Sequence, residues 1–84
     1  MERKRVESDM KQFEESIREL EERKDEWDNW MKENTERAMN YYNDAKYFME
    51  KGEVFTAWGT INYAHGILDA LRRKLGLGCY GALE

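Results

Sequence analysis

The chain has 84 residues, enough for one domain and a modest core. Charged residues make up 38% and hydrophobic ones 40%, and the aromatics, at 13%, give too much bulk for a disordered chain. The net charge of -4 argues against nucleic acid or an acidic membrane surface as partner, and a single cysteine, Cys79, excludes an internal disulfide.

No apolar run approaches the ~18 residues of a membrane span. The first ten residues, MERKRVESDM, hold no signal-peptide core, so a cytoplasmic chain is expected. One His and one Cys cannot build a zinc site, and no cofactor motif is visible. The glycines at 76 and 78 follow a helical pattern and lack the Gly-Lys-Ser/Thr of a phosphate loop. Proline is absent, which permits long helices.

The first predicted helix spans residues 3–31. Val6, Met10, Phe13, Ile17, Leu20, Lys24, Trp27 and Met31 recur in steps of four and three, one helical face interrupted only by Lys24. The remaining faces carry acid-before-base pairs four apart, Glu7–Lys11, Glu14–Arg18, Glu19–Arg23, Asp28–Lys32 and Glu33–Arg37, which suit a solvated surface. Asn29, Asn34 and Thr35 are poor helix formers and good caps, so a break is expected near 32–35. A helix unbroken from 3 to 51 would be about 73 Å long and would need a second chain to cover it.

The second helix, 35–51, stops at Lys51-Gly52, a basic residue followed by the residue that takes left-handed backbone without strain. Apolar spacing resumes at once through Val54, Ala57, Trp58, Ile61, Ala64, Leu68, Leu71 and Leu75, which predicts a third helix over 54–75, antiparallel to the second. Arg72, Arg73 and Lys74 complement its terminal dipole, Gly76 stops it, and Leu77 supplies the apolar contact of such a cap. A loose glycine-rich tail over 76–84, carrying an ordinary thiol at Cys79, completes one domain over 1–84. The fold expected is therefore all-α, a three-helix up-and-down bundle with an antiparallel hairpin of helices 2 and 3.

Two features of the third helix are candidates for function. Asn62, His65 and Asp69 fall along one flank of its apolar stripe, and His65 and Asp69 are one turn apart. A carboxylate beside an imidazole favours the charged ring or fixes its tautomer, although such a pair is more often a structural hydrogen bond at a core edge. Equal distance from Gly52 brings Asp44 within about a turn of His65, and Tyr41 and Tyr63 can add hydroxyls, so Asp44, Tyr63, His65 and Asp69 form a candidate ligand seam with no identifiable nucleophile. Gly59, Gly66 and Ala70 make a strip of small residues away from Ile61. Glycine inside a helix costs ~1 kcal/mol relative to alanine, so close approach of another helix is expected there, either helix 1 or helix 3 of a second chain. Trp27, Trp30 and Trp58 read as core or interface anchors.

Residues 41–77 resemble the core of a small archaeal family known as domain of unknown function 357, through Asp44-Ala45, Tyr47-Phe48, Gly52, Ala57, Ile61-Asn62-Tyr63-Ala64-His65-Gly66 and Leu68-Asp69-Ala70. The resemblance implies a three-helix up-and-down bundle and carries over no functional residue. The pattern is also similar to helical nucleotide-binding domains associated with toxins and nucleotidyltransferases. Their nuclease motif places an Arg six residues before a His, and position 59 here is Gly. A non-enzymatic interaction module, with a protein partner or a second copy of itself, is the preferred expectation, and a small-molecule or nucleotide site on the polar seam is the alternative.

Overall fold

The computed structural model describes residues 2–78; Cys79 and the rest of the tail lie outside the described residues. Three helices form an up-down-up bundle: α1 (Arg3–Glu21), α2 (Asn29–Glu50) and α3 (Val54–Lys74), with a short 3-10 turn at Lys24–Glu26 between the first two. Helix α3 is the central element, packing against both others. No helix among the described residues is long and apolar enough to cross a membrane.

The stripe of α1 buries Val6, Phe13, Ile17 and Leu20, and α3 answers with Ala57, Ile61, Ala64, Leu68 and Leu71. Alanines at 38, 45, 57 and 64, all fully buried, let α2 and α3 approach closely around Met31 and Met49. One aromatic layer joins all three helices. The Phe13 ring stacks on Tyr42 of α2 at 4.9 Å between centroids and meets His65 of α3 edge-on at 5.7 Å. The Tyr42 hydroxyl donates to the Glu14 carboxylate, and burial, followed by that bond, pushes the phenol above its ordinary pKa.

Both glycine stops are built as the residue types require. Gly52, at φ 78°, donates to the Met49 carbonyl (3.1 Å) while the Glu53 N–H returns to Phe48 (2.8 Å). Gly76, at φ 79°, donates to Arg73 (3.0 Å) and the Leu77 N–H returns to Arg72 (2.8 Å). These paired bonds are the Schellman closure, which satisfies carbonyls that a helix end otherwise leaves bare.

The break between helices 1 and 2 lies earlier than the residues near 32–35. α1 ends at Glu21 and α2 begins at Asn29, so Met31 belongs to the second helix. The charge at Lys24 leaves the stripe without an apolar residue where α1 would continue. The Asp28 side chain then accepts from the Met31 N–H at 2.8 Å, a strong N-cap. The Trp27 indole donates to the Leu20 carbonyl at 3.2 Å and so closes the end of α1. Asn34 and Thr35 are tolerated inside α2 because their side chains donate to the Trp30 and Met31 carbonyls one turn back.

Asp28 also holds the far end of the hairpin. The Lys74 ammonium lies 2.6 Å from its carboxylate and 4.7 Å from the Trp30 ring centroid. The bond from Lys74, then that from the Met31 N–H, lower the Asp28 pKa. A carboxyl that ionises more readily in the folded chain stabilises it above the unfolded pKa of about 4, and loses that contribution as pH falls through the lower folded value. Acid titration followed by circular dichroism should therefore show wild type losing stability below about pH 4 more steeply than Asp28→Asn. At Gly52, where the left-handed backbone penalises a Cβ, Gly52→Ala should lower the unfolding free energy by about 1–2 kcal/mol in a urea titration.

Candidate functional site

α1 runs parallel to α3, and two polar side chains of α3 hold it there. His65 is 2% exposed, and its Nε2 lies 2.7 Å from the backbone carbonyl of Asp9. A carbonyl only accepts, so Nε2 carries the hydrogen. One heptad further on, the buried Arg72 guanidinium donates from Nη1 to Glu19 at 3.0 Å and to the buried Ser16 hydroxyl at 3.4 Å, and from Nε to the Gly78 carbonyl at 2.7 Å. In the neutral ring the remaining nitrogen of His65, Nδ1, is a bare acceptor. It is buried and has no hydrogen-bond partner among the described residues, a state that costs about 1–3 kcal/mol and calls for an explanation.

On the open side of these contacts a cleft of about 410 Å³ separates α1 from α3. Arg5 and Asp9 form its α1 wall, one turn apart. Trp58, Asn62, His65 and Asp69 form the α3 wall, and Gly66 leaves that wall low, with no atom within 4 Å of where a Cβ would sit. The helical spacing 58, 62, 65, 69 puts these α3 groups in one row. Asp69 is only 5% exposed and engaged in further interactions. Among the described residues no three His, Cys, Asp or Glu side chains are grouped to hold a metal.

Of the four residues of the expected seam, the structure brings His65 and Asp69 to this cleft and leaves the other two elsewhere. Asp44 is exposed on α2 and does not line the cleft. Tyr63 is 57% exposed, with its ring 4.6 Å from that of Tyr41. α1, not Asp44, covers His65. Arg5 and Asp9 were not singled out by the sequence because they merge with the charged faces of α1. Trp58, read as an anchor, is half-buried with its ring 5.8 Å from Phe55.

Gly59, Gly66 and Ala70 are exposed, and nothing lies within 4 Å of a Cβ built at either glycine. Among the described residues no helix packs on the two glycines, because α1 and α2 occupy the other sectors of α3. Phe55, 72% exposed, and Tyr63 lie on the same side.

Nitrogen NMR of the neutral His65 ring should report the Nε2–H tautomer; a ring protonated at Nδ1 instead would contradict the bond to Asp9.

A family model described as "Protein of unknown function (DUF357)" matches residues 7–77. No curated protein matches the chain.

Proposed function

The chain belongs to the DUF357 family, whose description names no activity, and on physical grounds we propose that it is a non-enzymatic interaction module that pairs with a second copy of itself through the open face of α3. The observation that carries this reading is a second helical stripe opposite the core. Phe55, Gly59, Tyr63, Gly66 and Ala70 follow one another in steps of four, four, three and four, within a sector of about 80°, and all five are exposed.

Three properties of the stripe support a second copy as its occupant. From Val54 to Leu68 the helix carries no Asp, Glu, Lys or Arg. In a chain that is 38% charged with a net charge of -4, this is a surface that two like-charged copies can bring together without repulsion. The stripe is also complementary to itself. Gly59 with Gly66, and Phe55 with Ala70, share one midpoint, between Asn62 and Tyr63. Two α3 helices laid antiparallel about that point set glycine against glycine and a phenyl ring against a methyl group, an isologous contact. Finally, each helical glycine sacrifices ~1 kcal/mol of helix stability, which close backbone approach recovers.

Cross-linking tests both the pairing and its register. In a Cys79→Ser background, mixing Gly59→Cys with Gly66→Cys chains under oxidation should give a mixed disulfide dimer, and neither chain alone should do so. Like positions would be seven residues apart along the axis, about 10 Å, beyond disulfide reach. Sedimentation should show a dimer for wild type and a fully helical monomer for Gly59→Leu. A wild-type monomer at the highest soluble concentration would contradict the proposal.

A further inference from the structure

The cleft between α1 and α3 shares only Gly66 with the pairing stripe and otherwise stands on separate residues. Its volume, about 410 Å³, falls within the ~300–1,000 Å³ of small-molecule sites. Arg5, Asp9, Trp58 and Asn62 line it, and none of their side chains has a hydrogen-bond partner among the described residues. Behind them the buried His65 carries an Nδ1 that has no partner among the described residues.

We propose that this cleft binds a flat heterocycle of nucleobase type bearing an anionic group, the chemistry of a mononucleotide. Each wall group answers one part of such a molecule. The half-buried Trp58 ring offers a stacking plane, which accepts any base. The Asp9 carboxylate accepts N–H donors from the base edge. The Asn62 amide, which both donates and accepts, pairs with a mixed edge. The exposed Arg5 guanidinium at the rim is a planar fork suited to a phosphate. Simpler ligands satisfy less of the wall. An inorganic anion would meet Arg5 but also Asp9 and Asp69, and an organic cation would meet those carboxylates but also Arg5. A molecule with N–H donors at one end and negative charge at the other uses both. Gly66 keeps the wall low enough for a ring to enter, since no atom lies within 4 Å of its missing Cβ.

The bond from His65 runs to the backbone of Asp9, not to its carboxylate. Asp9→Asn therefore removes the proposed recognition group and leaves the helix contact in place. The test is an NMR titration of the full chain that follows the Trp58 indole N–H and the His65 ring. Adenosine and guanosine 5′-monophosphates are the main probes, and the parent nucleosides, inorganic phosphate and agmatine are separate arms. At least one monophosphate should shift both signals and saturate at or below millimolar concentration. Its nucleoside should bind about tenfold more weakly, as should the monophosphate to Asp9→Asn and to Arg5→Gln, each losing one charged hydrogen bond. Phosphate and agmatine alone should leave the Trp58 signal unmoved. The proposal is overturned if neither monophosphate moves the two signals, if phosphate or agmatine reproduces the shifts, or if affinity is unchanged in the nucleoside or in Asp9→Asn.

Discussion

The placement of α1 on α3 depends on two polar contacts that repeat at the same sequence offset. His65 reaches Asp9 and Arg72 reaches Ser16, each 56 residues away, one heptad apart on both helices. Apolar heptads alone do not fix such a register, because a slip of seven residues again sets apolar side chains against apolar side chains. A slip would, however, orphan the imidazole, the guanidinium and the Ser16 hydroxyl inside the bundle, and each orphan is expensive. The aromatic layer depends on the same register. Phe13 meets the edge of His65 and the face of Tyr42 together only when α1 sits at this height, and the Glu14 carboxylate that receives the Tyr42 hydroxyl comes with it.

With α1 fixed along one flank of α3 and α2 along another, the third sector of α3 is left open among the described residues, apart from the Tyr63 ring beside Tyr41. That sector carries the uncharged stripe from Phe55 to Ala70, and its border with α1 opens into the polar cleft. The two candidate sites are thus consequences of one packing decision. They meet at Gly66, which is bare toward the stripe and low toward the cleft, yet they call on different side chains: Phe55, Gly59 and Ala70 for a second copy, Arg5, Asp9 and Asn62 for a small molecule. Arg72, read from sequence as a charge for the helix dipole, instead ties the end of α3 to α1 and to the backbone at Gly78.

What was legible in the sequence was whatever local chemistry decides. A glycine that ends an apolar helical register has one good solution, the left-handed stop, and Gly52 and Gly76 both adopt it. The three helices and their order follow from spacing alone, whereas the partner of His65 does not: its ring bonds the Asp9 carbonyl and not the Asp69 carboxylate expected one turn away. The break after α1 did not, because Asn34 and Thr35 look like breakers until their side chains are seen bonded one turn back, and Asp28 looks like a surface acid until it caps Met31 and meets Lys74. Asp44 shows a second limit. Distance from a turn fixes the level of a residue along an antiparallel hairpin, but not the direction in which it faces. Asp44 shares roughly the level of His65 and points to solvent, and the flank of α3 taken by α1 is set by bundle handedness, which apolar periodicity does not encode.

The open stripe and the cleft both depend on which helix covers His65. Nuclear Overhauser contacts from the His65 ring, measured on a selectively labelled chain, decide it most directly. Contacts to the Asp9 Hα and the Phe13 ring are predicted. A His65 ring in contact with the side chain of Asp44, and with no proton of α1, would contradict the register from which both the open stripe and the cleft follow.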